Sequence, residues 1–270
     1  MKKLGIGIIG VGRVGSAFAF ALSNAGWRIS GVFDTNIDRM RAVAKRVPTG
    51  AFNDYISLAK RSDVIFLTVP DNEIIRIAEE LGDSGNIKAK FIFHSSGILP
   101  SKVLKLAGLD KAVYSLHPMG AVIDGLKKKN SFVGMFFGGE GDSAALTIAK
   151  RITHDLGGRL IDIKGYSKAY YHLAATIVSC NVFALFSSAE KLLHHAGISE
   201  EYIKTIILSM SKRALGNYGK FGLNALTGPV VRHDESTLAE HIIVAEKEGL
   251  RGLYESCIVE LENILRSENS

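Results

Sequence analysis

Cysteine is scarce in this chain, with two in 270 residues, Cys180 and Cys257. They lie far apart in apolar surroundings, and neither belongs to a CxxC pair or a Cys/His cluster with metal-ligand spacing. A disulfide framework and a zinc site are therefore excluded as organising principles, no metal is expected, and both thiols are expected to be buried. Long apolar runs are missing as well. No stretch reaches the roughly 18 consecutive apolar residues that a membrane span needs. The basic start, MKKLGIGIIGVGRVG, is broken by glycines and followed by no convincing cleavage site. The expectation is a cytoplasmic protein with no membrane partner. Solenoid repeats and low-complexity segments are also absent from the sequence.

Charge is nearly balanced, with 33 Lys and Arg against 27 Asp and Glu, a formal net charge of +6. The cations are scattered, apart from Lys127, Lys128 and Lys129, and aromatic residues are not interleaved with them. That pattern argues against a nucleic-acid partner and fits solubility or attraction of an anionic ligand. What the chain has in quantity is apolar residues, 47% of the total, enough to build one large core or two ordinary ones.

Those apolar residues are organised in two ways. Up to about residue 163, short apolar runs alternate with helical patterns, which predicts a mostly parallel sheet covered by helices. Strands are predicted over 4–9, 28–33, 64–69, 91–94, 112–116, 132–137 and 159–163, with helices over 14–25, 37–46, 73–81 and 143–156. Beyond residue 165 no strand is evident, and 166–196 reads as one long apolar helix followed by two or three more. The expected architecture is an α/β Rossmann domain over 1–164 and an all-α domain over 165–270. Residues 174–193 carry apolar side chains around most of the helix circumference, and such a helix is normally surrounded. Homodimerisation through the helical domain is the expected cover, and the plainer alternative is burial between its own sheet domain and the helices that follow it.

The first predicted strand runs directly into Gly10-Val-Gly12-Arg-Val-Gly15, with a helical pattern behind it. In that context each glycine has a mechanism: Gly10 permits the tight turn, Gly12 lets the backbone approach a pyrophosphate, and Gly15 lets helix and strand pack closely. Arg13 and Val14 complete the turn, and the helix N-terminus offers free amides to phosphate oxygens. Asp34 ends the second predicted strand, where a carboxylate can accept hydrogen bonds from adenosine ribose hydroxyls. Val69, Pro70 and Asp71 end the next predicted strand and would flank the same cofactor. In the plainer alternative, the glycines only serve turns, and Asp34 and Asp71 only cap helices. A bound NAD or NADP is expected. Asp34 favours NAD, Arg13 and Arg39 could attract the 2′-phosphate of NADP, and the balance leans to NAD.

Two further strand ends are polar, His94-Ser95-Ser96-Gly97 and His117-Pro118-Met119-Gly120. Ligands of open α/β sheets bind at such carboxyl ends. On the long helix, Lys168, His172, Thr176 and Ser179 are spaced by four, four and three and form one polar stripe. The catalytic candidates are thus His172, Lys168, Ser95 and His117; Ser96, Thr176 and Arg232, the last in a polar interhelical turn, are candidates for holding substrate. Each has a structural alternative, such as a histidine whose ring nitrogens bond to backbone.

The segments GVGRVG, FHSSG, SLHPMG, YYHLAAT and ALTGPVVRHD, in that order, resemble a family of uncharacterised oxidoreductases. These join a Rossmann-like domain to a helical domain of unknown function and are distantly similar to pyrroline-5-carboxylate reductases and 3-hydroxyacid dehydrogenases. The resemblance spans nearly the whole chain. It implies a nicotinamide cofactor, a dimer and an active site between the domains. The 3-hydroxyacid dehydrogenases carry a catalytic lysine followed four residues later by asparagine. Here Lys168 is followed by His172, so the chain departs from that pattern. The expected reaction is hydride transfer to or from a small carbonyl, imine or alcohol, and the alternative is a dinucleotide-binding sensor without turnover.

Overall fold

The computed structural model describes residues 4–85, 87–123, 130–164 and 167–268. Lys127 to 129 and Tyr166, singled out above, lie outside them. Seven strands form one sheet: β1 Gly5–Ile9, β2 Arg28–Phe33, β3 Val64–Leu67, β4 Phe91–His94, β5 Ala112–Pro118, β6 Phe136–Gly141 and β7 Arg159–Asp162. Their order is β2-β1-β3-β4-β5-β6-β7, with β6 antiparallel to β5 and every other pair parallel. Helices α1 Arg13–Asn24, α2 Ile37–Arg46, α3 Tyr55–Ala59, α4 Asp71–Asp83, α5 Lys102–Leu106 and α6 Ser143–Asp155 connect the strands.

β1 reads GIGII and is buried along its whole length, as a central parallel strand must be. Hydrophobic clusters on both sides hold the sheet. One runs through Phe18, Phe66, Phe93 and Tyr114, whose rings stand 5.1, 4.9 and 5.6 Å apart in sequence; the other joins Leu67, Ile74, Ile92 and Leu104. Local signals also agree with the fold. Asn36 caps α2 by accepting from the Arg39 amide at 2.9 Å, and Lys45 and Arg46 complement the dipole at its other end.

The strand expected over 132–137 lies further on, at Phe136–Gly141. Phe132 is instead a buried core residue ahead of the strand. The glycines of FFGGEG are needed there, because a Cβ on Gly138 would meet Tyr171 Oη at 2.5 Å and one on Gly139 would meet Tyr114 Oη at 2.8 Å. Helices α3 and α5 were not anticipated. At five residues each they are too short to show a periodic pattern.

The long apolar helix comes in three pieces: α7 Lys168–Thr176, a π-helical turn Ile177–Asn181, and α8 Val182–His195. Within that turn the chain passes from one compact unit, Met1–Ser179, to a second, Cys180–Ser270, later than the boundary expected at 164. The cause is Lys168, which opens α7 and is buried among the strand ends of the first unit. The second unit is helical, with α8, α9 Glu200–Phe221, α10 Glu235–Lys247 and α11 Arg251–Glu268.

Two expectations need correction. Within Lys168–His195 an 18-residue window reaches a mean hydropathy of 1.4, so by length and composition alone this helix is long and apolar enough to cross a membrane. The sequence expectation counted consecutive apolar residues, and the small and polar residues between them hid the average. The thiols, expected to be buried, are exposed at Cys180 and half-buried at Cys257. Both lie on helices whose apolar surface is left uncovered within the chain.

Candidate functional site

Strand order reverses at β1, which pairs with β2 on one side and β3 on the other, so the turns after β1 and β3 open a crevice at the carboxyl edge. A cavity of about 670 Å³ lies there, lined by Gly10, Gly12, Arg13, Val14, Asp34, Val69, Pro70 and Ser95 among others. Gly10 has φ +88°, a conformation that favours glycine, and a Cβ there would also meet Thr68 O at 2.9 Å. A Cβ on Gly15 would come within 2.0 Å of Gly10 O, so Gly15 serves the close packing of α1 on the strand turn. Gly12 differs from both, since a Cβ there would meet nothing within 4 Å. That unfilled space beside α1's first amides fits a pyrophosphate.

Asp34 is 9% exposed, and both its oxygens bond to backbone: Oδ2 accepts from the Val11 amide at 2.7 Å and Oδ1 from the Asn36 amide at 2.8 Å. It braces the glycine turn against the turn after β2. Asp71 lies in the exposed first turn of α4, a favourable place for a carboxylate, and does not line the cavity.

Next to Ser95 the chain enters a second, polar cluster. Lys168 is 2% exposed; its Nζ donates to Ser115 Oγ at 2.6 Å and to Ser96 O at 3.0 Å. Burial pulls its pKa down to about 8, against the opposing fields of Glu140 and Asp71. Ser96 Oγ accepts from the amides of Ile98 and Leu99, which fixes the turn after β4. On the next strand, His117 Nδ1 lies 2.8 Å from Tyr171 Oη, and its ring stands edge-on to His172 at 5.8 Å. Gly97 lies between them: a Cβ on it would meet His172 Cδ2 at 2.3 Å and His117 Nε2 at 3.0 Å.

Ser96, His117, Lys168 and His172 therefore meet in one cluster, with Ser95 joining it to the cavity. Thr176 does not share in it, because its hydroxyl bonds back to His172 O at 2.9 Å. Ser179 likewise bonds to Ala175 O at 2.6 Å, so the second half of the polar stripe bonds to its own helix and only Lys168 and His172 reach the cluster. Arg232 is exposed in the second unit, on the turn before α10. Ser115, Tyr171 and Glu140 were missed. Ser115 had a signal, as a polar residue inside the apolar strand AVYSLHP. Glu140 had one too, as a carboxylate inside a strand, and it accepts from the amide and hydroxyl of Ser101.

His94 is fully buried; its Nδ1 accepts from the Ser96 amide at 3.2 Å, while Nε2 has no partner among the described residues. Burial, aided by the Lys168 charge, pushes its pKa down to about 3, and the same two causes push His117 down to about 4. Both rings are thus neutral in the folded protein at neutral pH. Below the unfolded value of about 6.5 the unfolded chain binds protons that the folded chain refuses, so stability falls as pH drops from 6.5 toward 4. Each ring contributes a slope of up to about 1.4 kcal/mol per pH unit. Urea unfolding at pH 7, 6 and 5 should show this decline, and His117→Asn should flatten it by about half.

Residues 1–118 match the family model of the Rossmann-like domain, and residues 135–259 match that of a domain of unknown function, DUF2520. No curated protein matches the sequence. Among solved structures, protein TM1727 from Thermotoga maritima is similar at 28% identity, covering 98% of this chain and 100% of that one, with a TM-score of 0.73. A Bacteroides fragilis protein provisionally described as an NADP oxidoreductase gives 20% identity, 97% and 98% coverage and a TM-score of 0.79. The Plasmodium falciparum pyrroline carboxylate reductase, solved with NADP bound, gives 15%, 98% and 99%, and 0.62. The second family model begins at β6, so the last two strands of the sheet fall within it. The chain thus matches a Rossmann-like domain over its first part and the DUF2520 domain over most of the rest.

Proposed function

We propose that the protein is an NAD(P)-dependent oxidoreductase that transfers a hydride to or from a small carbonyl, imine or alcohol. One observation carries this reading: Ser95 lines the cavity of the glycine turn and directly precedes the pair Ser96-Gly97, around which His117, Lys168 and His172 gather. A dinucleotide held along Gly10, Gly12, Arg13 and Val14 would therefore end beside a set of proton-handling groups. The bound dinucleotide supplies the hydride chemistry. His172, half-buried and flanking Gly97, is the group assigned to hold or move the substrate proton. His117, kept neutral and oriented by Tyr171, is assigned to hydrogen-bond the substrate oxygen or nitrogen. Lys168 is too deeply buried to touch substrate and has its partners in Ser96 and Ser115, so it positions the two strand ends.

The test is to follow nicotinamide absorbance with a panel of small ketones, aldehydes and cyclic imines. Steady oxidation of the reduced dinucleotide by at least one is expected. Tight dinucleotide binding with no turnover across the panel would instead make the protein a sensor.

The same reading makes the protein a cytoplasmic homodimer, with no membrane or nucleic-acid partner, joined through its helical unit. Among the described residues of Cys180–Ser270 only Ile203, Ile207, Val230 and Ala245 are buried apolar side chains, while Phe183, Met210, Leu215 and Phe221 are 63–70% exposed. Such a unit lacks a core of its own, and a second copy completes it. Lipid is the poorer cover, because the long helix begins with the buried cation of Lys168 and carries Glu190 and Lys191 near its end. Light scattering of detergent-free protein at micromolar concentration should give the dimer mass. A monomer would contradict this assignment.

A further inference from the structure

The cavity at the glycine turn holds three arginines, and they are not equivalent. Arg76 is neutralised: its guanidinium pairs with Glu73 at 2.6 Å and with Glu80 at 2.5 Å. Arg13 is exposed and has no hydrogen-bond or ion-pair partner among the described residues. Arg39 is 48% exposed and comes no nearer than 3.8 Å to Asp34, beyond hydrogen-bonding distance. Two cations with unspent donors thus line the cavity beside Thr35, at the end of β2 where a Rossmann fold receives the adenosine ribose.

The carboxylate that would oppose a phosphate there already accepts from two backbone amides and has a cation beside it. Asp34 directs one oxygen to the Val11 amide at 2.7 Å and the other to the Asn36 amide at 2.8 Å, and it is almost fully buried. Selection of NAD depends on a carboxylate offered to the ribose hydroxyls, and its repulsion of a 2′-phosphate depends on an unshielded charge. Here the charge is turned inward onto backbone donors and shielded on its outer side by Arg39. This reverses the lean toward NAD that the sequence alone suggested.

We propose that Arg13 and Arg39 form a site for the ribose 2′-phosphate, so that the protein selects NADP over NAD. Guanidinium groups suit this role because they present several donors in a plane and keep their charge at all working pH values. The inference rests on the dinucleotide reading above, and its test separates the two. Calorimetric titration of the full chain with NADP+, NAD+ and adenosine 2′,5′-bisphosphate should give NADP+ a dissociation constant at least about tenfold below that of NAD+, with measurable binding of the bisphosphate. Arg39→Ala should remove most of that preference by weakening NADP+ and leaving NAD+ unchanged, and rising salt should weaken NADP+ more than NAD+. Equal or tighter binding of NAD+, or an Arg39→Ala variant that weakens both alike, would overturn the 2′-phosphate site while leaving the dinucleotide cleft in place. Failure of all three ligands to bind would overturn the cleft itself, and this site with it.

Discussion

His172→Asn is expected to lower turnover by about a hundredfold to ten-thousandfold, the usual cost of removing a general acid or base, with dinucleotide affinity unchanged. Three groups near Gly97 could exchange a proton, and the geometry separates them. Lys168 is 2% exposed and has its hydrogen bonds directed at Ser96 O and Ser115 Oγ. His117 is pulled down to about 4 by burial and by the Lys168 charge, so at neutral pH it has no extra proton to give. That leaves His172, half-buried on the first turns of α7, with its ring edge against Gly97. Asparagine keeps a polar side chain of similar reach but cannot accept and release a proton near neutral pH. Steady-state kinetics on an active preparation provides the check. Turnover within a few-fold of the parent would make His172 part of the scaffold only.

The second large effect is expected of Gly12→Val, which should abolish dinucleotide binding and leave the fold intact. These two outcomes are separable here because the three glycines of the turn do different work. A side chain at Gly10 would be strained by φ +88° and would meet Val69 Cγ1 at 2.7 Å, and one at Gly15 would strike Gly10 O at 2.0 Å. Substitution at either damages the protein. At Gly12 a Cβ meets nothing within 4 Å, so valine projects into the cavity that the pyrophosphate is assigned to fill. Thermal unfolding should show a midpoint close to the parent's, while calorimetry shows no heat of binding. Undiminished affinity would remove the phosphates from this turn.

Much of the first unit was legible because its signals are local. GVGRVG after an apolar run, Asn36 ahead of α2, and strands bracketed by turn residues each place an element without reference to the rest of the chain. What was not legible depends on contacts distant in sequence. The place of Asp34 after β2 points to the ribose, and only the fold reveals that its oxygens also accept from the Val11 and Asn36 amides. β6 was misplaced because glycines carry no hydrophobic signal, and their need for flat space comes from Tyr114 and Tyr171. In the candidate site, His117, Lys168 and His172 were found by type and spacing. Their roles were divided by burial, which separates Lys168 beneath the strand ends from His172 beside Gly97. Tyr171 stayed hidden inside YYHLAAT, since neither adjacent tyrosine has a sequence signal that marks it as the partner of His117.

Amide hydrogen exchange of the full chain, with and without saturating NADP+, locates the dinucleotide site, because it reports where the dinucleotide binds rather than whether it does. Slowed exchange is expected at Gly12 to Val14, at Thr35 after β2, and at Val69 and Ser95, which line one cavity at the sheet's switch point. Protection absent from those amides, or confined to Cys180–Ser270, would contradict this placement.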